Sequence, residues 1–262
     1  MLIAVHVLEV VLLLAGPLLL ARALARRWSL PFGVFGIGLL TFVFGQVAQM
    51  GVAKVFQWAF LNEVLPAPSA DTVPLIGAIL GGATAALSDE PLRLWAFRRY
   101  LADQTNARSG ALAGLGHGGA QAMLGGALTL MMATLAIVFR GQNFEDMQQM
   151  GFEGRSAIRL GMKVFAWWEE SPLSVLRSFA QYVALVAMHI GLSVAVACSL
   201  RRRRLFAMAV LLHGLAATLI AYAVDRTFPA GWSLAIYGGA AVLSLTLGVY
   251  AARSVPTDRA SE

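Results

Sequence analysis

Six ionisable residues of the kinds that catalyse hydrolysis lie inside apolar stretches of the sequence: Asp89, Glu90, Arg93, His117, His189 and His213. Charges near the centre of a bilayer cost several kcal/mol and survive only where they face partners or water. Carboxylates with neutral histidines can bind a metal that activates water. The same groups can work without metal, or can relay protons in a transporter. Spacing alone leaves all three open.

The residues around the acidic pair and the first histidine also favour a site. Arg93 follows Asp89 by four residues and Glu90 by three, so on a helix it lies over the same face. It can therefore hold one carboxylate ionised and leave the other free. Small residues surround His117 in the segment 114–119 and leave room for water. Gln121 and Ser193 add polar atoms one turn beyond His117 and His189.

The elements that carry these residues are apolar segments long enough to cross a membrane. The 262-residue chain is 58% hydrophobic and 13% charged, against about 25% charge in soluble domains. A span needs about 20 apolar residues. Seven segments qualify: about Leu2–Leu24, Pro31–Phe60, Val73–Tyr100, Ser109–Arg140, Ser174–Leu200, Leu205–Val224 and Trp232–Ala252. We predict an all-α, polytopic membrane protein with a single integral membrane domain over residues 1–262.

The basic residues predict the orientation of the spans. Clusters such as Arg26–Arg27, Arg98–Arg99 and Arg201–Arg204 end alternate segments and belong in the cytoplasm by the positive-inside rule. The N-terminus is then outside and the C-terminus, with a polar tail over 254–262, is cytoplasmic. The basic residues form no single stripe, which argues against nucleic-acid binding.

Two further features lie on the predicted outer side. The segment Arg155–Trp168 mixes basic and aromatic residues and is predicted as a helix lying along the outer interface. His6 and Glu9, near the outer end of the first span, are predicted to be interfacial or to snorkel towards the interface.

The histidines and the acidic pair fall in one layer of the predicted bundle. Glu90, His117 and His213 lie about 12–13 Å from the nearest cytoplasmic arginine at about 1.5 Å of rise per residue. His189 lies about 18 Å deep on the same scale. Four spans of alternating direction thus return polar groups to the cytoplasmic half of the membrane, which favours a functional cluster over isolated hydrogen bonds between helices.

Four motifs carry a resemblance to a known family. They are Ser88-Asp89-Glu90-Pro91-Leu92-Arg93 with Ala96-Phe97, Gly114-Leu115-Gly116-His117-Gly118-Gly119-Ala120-Gln121-Ala122, His189-Ile190-Gly191-Leu192-Ser193, and His213. In their order and spacing the chain resembles the YhfC family over about residues 32–224. That family is grouped with the glutamic-type intramembrane proteases, alongside the CAAX prenyl endopeptidases and bacteriocin-processing enzymes.

The resemblance implies roles for the six residues. The family pattern of paired glutamates followed by arginine falls on Asp89, Glu90 and Arg93, and the histidines would orient water and stabilise the oxyanion. Asp89 stands where the pattern has glutamate, and Gln121 where members often carry glutamate. Either Glu90 is the base here, or the protein is altered or inactive.

The sequence therefore predicts an intramembrane endopeptidase of the glutamic type that cleaves a membrane-associated peptide or protein. Glu90 is the expected general base, Asp89 its partner, Arg93 the orienting cation, and His117, His189 and His213 the polarising and acid groups. We expect a multi-pass protein of the bacterial cytoplasmic membrane without a cofactor. Zinc at the cluster is the alternative for the cofactor. A proton-coupled transporter or a non-catalytic, immunity-type peptide-binding protein are the alternatives for function.

Overall fold

The computed structural model describes residues 1–66, 68–142, 144–149, 154–225 and 229–255. All regular structure in these ranges is helical, which confirms the all-α prediction. The helices are α1 (Leu2–Trp28), α2 (Gly33–Leu61), α3 (Val73–Tyr100), α4 (Ala107–Val138), α5 (Phe144–Gln149), α6 (Gly154–Trp168), α7 (Pro172–Ser199), α8 (Arg204–Asp225) and α9 (Ala230–Ser254). A short 3₁₀ turn, Ala102–Gln104, joins α3 to α4.

Six helices of the described part are long and apolar enough to cross a membrane, namely α1, α2, α4, α7, α8 and α9. Helix α3, the other predicted span, has a similar length but is less apolar, because it carries Asp89, Glu90 and Arg93 within its core-facing side. The chain is a polytopic membrane protein, and the count of seven spans and their orientation stay predictions.

Helix α4 is the centre of the bundle, with α1, α2 and α7 packed against it. Its N-terminus is fixed by Asn106, whose Oδ1 accepts the backbone N–H groups of Arg108 and Ser109, each at 3.0 Å. Helix α3 packs between α2 and α8, and α9 covers the other side of α7. This arrangement turns the motif-bearing faces of α3, α4, α7 and α8 towards one another.

Glycines spaced by four residues bring α4 and α7 into backbone contact. A Cβ built on Gly110, Gly114 or Gly118 would lie 2.8, 2.6 or 2.8 Å from a Cα atom of α7. Any side chain there would push the helices apart, so the seam depends on these glycines. The seam sets the distance at which His117 and His189 face each other.

The outer end of α1 is covered by another helix. His6 and Glu9 are buried in the protein, each 4% exposed, and their depth at the membrane interface stays a prediction. The ring of Trp167 on α6 stacks on His6 with centroids 4.7 Å apart, and Glu170 Oε2 lies 3.5 Å from His6 Nε2. Tertiary docking of α6, which the sequence of α1 does not encode, covers them.

Helix α6 forms over Gly154–Trp168 as predicted, although the side chain of Arg155 lies outside the described residues. It is tied to α4 by Trp168, whose Nε1 donates to Ala136 O at 3.1 Å. The predicted polar tail lies outside the described residues from position 256 onward.

Candidate active site

The six predicted residues form one buried cluster at the junction of α3, α4, α7 and α8. The ring of His189 lies 4.7 Å from that of His117 and 5.5 Å from that of His213 between centroids. Asp89 Oδ2 lies 3.2 Å from His117 Nε2 and 4.0 Å from His213 Nε2. None of the six residues is more than 3% exposed, so their polar atoms must find their hydrogen-bond partners inside the protein.

These residues share one level along the bundle. Glu90 and His189 lie ten residues before the ends of α3 and α7, and His117 and His213 lie ten and nine residues after the starts of α4 and α8. Each is therefore about 15 Å from its helix end. His189 is level with the others because α7 ends at Ser199, before the arginines used to estimate its depth.

Glu90 is held in the interior by two donors. Its Oε1 accepts Arg93 Nη1 at 2.6 Å and His213 Nδ1 at 2.7 Å. Its Oε2 is buried and has no hydrogen-bond partner among the described residues. The pairing with Arg93 agrees with the i,i+3 spacing in the sequence, and the bond from His213 joins α8 to α3.

Arg93 continues this hydrogen-bonded chain to α7 and α4. Its Nη2 lies 2.7 Å from His189 Nδ1, and His189 Nε2 lies 2.9 Å from Gln121 Oε1. Because a guanidinium only donates, His189 Nδ1 must accept a hydrogen bond from Arg93. His189 Nε2 must then carry the hydrogen and donate it in the hydrogen bond to Gln121 Oε1. Both nitrogens of His189 are thus hydrogen-bonded. Gln121 bonds His189 and not His117, which lies on the same helix as Gln121.

The proton of His117 is placed by Thr41 on α2. The Thr41 hydroxyl donates to Gly38 O at 2.7 Å and lies 3.1 Å from His117 Nδ1. With its one hydrogen so used, the hydroxyl can only accept, and Nδ1 carries a proton. A neutral His117 would then present a bare Nε2 to Asp89 Oδ2, two acceptors at 3.2 Å. A further proton or a cation is needed between them.

Asp89 faces α2. Its Oδ1 accepts Gln49 Nε2 at 3.1 Å, and the space in front of that oxygen exists because position 45 is glycine, where a Cβ would collide with Oδ1. Gln49 is only partly buried. Asp89 is therefore the carboxylate nearer to the outside of the bundle, while Glu90 lies behind it.

Two residues of this site, Thr41 and Gln49, were not predicted. Both side chains are uncharged, so they do not stand out in an apolar segment as ionisable residues do. The signal was present, since positions 41, 45 and 49 repeat at a four-residue interval and mark one face of α2. Ser193, predicted to lie on the histidine face, is buried without a hydrogen-bond partner among the described residues.

The atoms of the cluster are of the kinds that bind zinc, but the distances between them correspond to a shared proton. His117 Nε2 and His213 Nε2 lie 3.2 and 4.0 Å from Asp89 Oδ2, and catalytic zinc sites use such imidazole and carboxylate sets. His213 donates its other nitrogen to a carboxylate, as metal-bound histidines do. Within the described ranges, however, no three His, Cys, Asp or Glu side chains are spaced to hold a metal ion.

A family model described as YhfC intramembrane metalloprotease matches residues 10–237, a range that includes every residue of the cluster. No curated protein and no solved structure matches the chain.

Proposed function

The chain belongs to the YhfC intramembrane metalloprotease family, and from this premise we propose that it is an endopeptidase that hydrolyses a peptide bond of a membrane-embedded substrate. One observation carries the proposal. Two carboxylates, an arginine and three histidines from four helices meet in a buried cluster, and polar groups at membrane depth are retained for function.

Asp89 is the proposed general base of this reaction. The sequence predicts Glu90 for that role, but Glu90 is fully buried and lies behind Asp89, with its Oε1 accepting from Arg93 and His213. Asp89 lies next to the partly buried Gln49, so it can meet a substrate and a water from that side. A carboxylate there takes a proton from water as the water oxygen attacks the carbonyl carbon.

His117 is the proposed general acid. With Nδ1 protonated and the additional proton on Nε2, it is an imidazolium paired with ionised Asp89. After water attack Asp89 holds one proton, and His117 gives its Nε2 proton to the leaving amine. Asp89 then returns its proton to His117 across the 3.2 Å contact, which restores both groups. The second N–H of the Gln49 amide is free to donate to the oxyanion.

The remaining members of the cluster are positioning residues in this scheme. Glu90 fixes the His213 ring by accepting from Nδ1, and Arg93 neutralises Glu90 while donating to His189. These contacts leave His213 Nε2 directed at Asp89 Oδ2. The protein thereby keeps Glu90 hydrogen-bonded to Arg93 and His213 and leaves Asp89 to meet the substrate.

The family description names a metal. His117, His213 and Asp89 have the donor types that would hold one, although the described residues are not spaced for it. A divalent ion would supply a polarised, readily ionised water there. Thr41 and Glu90 would keep their positioning contacts to His117 and His213 with or without the ion.

The substrate is a membrane-associated peptide or protein. The chain is an integral, multi-pass membrane protein, as its apolar helices and its family indicate. We propose that it resides in the bacterial cytoplasmic membrane and cuts its substrate in the cytoplasmic half of the bilayer, where the predicted orientation puts the cluster.

The test is cleavage of a panel of synthetic single-span peptides by the protein in proteoliposomes, followed by mass spectrometry. Asp89→Asn should abolish cleavage, because the amide cannot accept the proton from water. His117→Gln should do the same, while Arg202→Gln, in the exposed turn between α7 and α8, should cleave like the native protein. Full activity of Asp89→Asn would refute the assigned base.

The same preparation decides between proton and metal. Elemental analysis of the purified protein and activity after dialysis against a chelator are the two measurements. Bound zinc in stoichiometric amount, lost together with activity and restored with it, establishes the metal form. Full activity in metal-free protein establishes the proton form.

A further inference from the structure

A groove on the surface of the bundle lies next to the hydrogen-bond partner of Asp89. It lies between α2 and α3 and has a volume of about 370 Å³, within the range of about 300–1,000 Å³ typical of ligand sites. Its walls include Gln49, Phe56, Gln57, Phe60, Gly81 and Thr84. Because Gln49 both lines the groove and donates to Asp89 Oδ1, a single side chain separates the groove from the cluster.

The groove has the length of a short peptide segment. Gly77, at its far end, precedes Asp89 by 12 positions on α3, which corresponds to about 18 Å. An extended chain of about five residues covers that distance at about 3.3 Å per residue. Proteolysis requires an extended backbone at the scissile bond, since a helix encloses its peptide groups in its own hydrogen bonds.

The polar groups of the groove match an extended backbone in an apolar environment. An unwound segment in lipid must find partners for its N–H and C=O groups, because each unpaired group costs several kcal/mol. The side chains of Gln49, Gln57 and Thr84 supply donors and acceptors along an otherwise apolar surface. Among the described residues no charged side chain is part of the lining, although Lys54 Nζ donates to Gln57 Oε1 at 3.2 Å. The lining itself is therefore suited to an uncharged segment.

Glycines on α3 keep the groove open. A Cβ on Gly77 or Gly81 would meet no atom within 4 Å, so these glycines, unlike Gly82, are not needed for helix packing. At Gly82 a Cβ would lie 2.6 Å from Gly214 O on α8. The same helix thus uses one glycine to contact α8 and two others to leave space facing α2.

We infer that the groove between α2 and α3 binds an extended, uncharged segment of the membrane-embedded substrate and delivers its scissile bond to Asp89. This inference rests on the proposed function. It specifies the substrate class as a membrane-spanning segment that unwinds over about five residues next to the cleavage site.

The first test fills the groove without disturbing the fold. Gly81→Leu should lower kcat/KM for a cleaved single-span peptide in proteoliposomes at least tenfold, with Gly81→Ala intermediate. Gly51→Leu is the matched control, since Gly51 on α2 also has open space around its Cβ but lies outside the groove. It should stay within twofold of the native protein. Equal activity of Gly81→Leu and Gly51→Leu would overturn the inference.

A binding measurement separates this inference from the proposed function. In an Asp89→Asn, Cys198→Ala chain, a bimane label is attached at Ala53→Cys in the groove or at Val47→Cys, which is exposed on α2. The probe is an alanine–leucine single-span peptide carrying a dabcyl quencher. Saturable quenching at position 53, absent at 47 and lost with Gly81→Leu, supports the groove even if the native protein cleaves nothing. Equal quenching at both positions refutes it even if cleavage is robust.

Discussion

Replacing Thr41 by valine tests the proton assignment at the centre of the site. Valine has nearly the same shape, so the buried volume is kept, but it removes the acceptor of His117 Nδ1–H. The bond that Thr41 donates to Gly38 O is also lost. That carbonyl lies within helix α2, so the main effect of the substitution falls on His117.

The size of the effect follows from the two ways in which His117 can respond. If its proton stays on Nδ1, a buried donor is left unpaired at a cost of about 1–3 kcal/mol. If the proton moves to Nε2, the ring donates to Asp89 Oδ2, 3.2 Å away, and the cost falls. The second response is cheaper, and it yields a neutral His117. A neutral ring could give its Nε2 proton to the leaving amine only by becoming an imidazolate, so it is a far weaker acid than the imidazolium.

We therefore expect Thr41→Val to fold stably and to lose about 10–100-fold in kcat, the usual effect of removing a group that orients a catalytic histidine. KM should change little, because Thr41 does not line the groove. Thr41→Ser keeps the hydroxyl and should stay close to the native rate. Single-span peptide cleavage in proteoliposomes gives both constants.

A spectroscopic measurement distinguishes this mechanism from a general loosening of the site. In protein labelled with ¹⁵N-histidine, the His117 nitrogens should report protonated Nδ1 in the native protein and in Thr41→Ser, and Nε2–H with bare Nδ1 in Thr41→Val. Native activity in Thr41→Val, or an unchanged His117 spectrum, would refute the argument that Thr41 sets the protonation of this ring.

Three further substitutions test the packing and the hydrogen-bonded chain. Gly45→Ala should reduce cleavage about a hundredfold with an unchanged Tm, because a Cβ collides with Asp89 Oδ1 and a shift of about 1 Å at a reacting group has that effect; an active Gly45→Ala would contradict it. Gln121→Leu should lower kcat about 10–100-fold by leaving His189 Nε2–H unpaired, whereas Gln121→Glu keeps an acceptor and should remain active. Equal rates of the two variants would contradict a role for the Gln121–His189 hydrogen bond. Gly114→Ala should destabilise the protein by about 1–3 kcal/mol through its 2.6 Å approach to Ile190 Cα, and thermal unfolding in detergent should show a lower Tm than for Gly51→Ala, with equal Tm values the contrary result.

The level of the site could be predicted from the sequence because helical rise is constant. Once the ends of the spans are located, the depth of Glu90, His117 and His213 follows by counting. The partner of each polar atom could not be predicted in this way, because it depends on how the helices are rotated about their axes. Gln121 lies one turn from His117 in sequence, yet it bonds His189 on another helix.

The parts that the sequence did not predict have a common physical cause. Thr41 and Gln49 carry no charge, so nothing in the composition of α2 distinguishes them from residues that fill space. His6 and Glu9 were expected to be interfacial or snorkelling because of their position near a helix end, but both are buried, with Trp167 of a distant helix stacked on His6. In each case the deciding contact is made by a residue remote in the chain.

The hydrogen-bonded chain through Arg93 has a consequence for how such proteins evolve. Gln121, His189, Arg93, Glu90 and His213 each pair with the next across four helices. Replacing one of them leaves its neighbour with a buried polar group that has no hydrogen-bond partner. A single substitution therefore destabilises the site, whereas a compensating set of substitutions does not. Natural variants should therefore gain or lose these five residues together. Gly77 and Gly81, in contrast, should vary with the shape of the substrate that each variant cleaves.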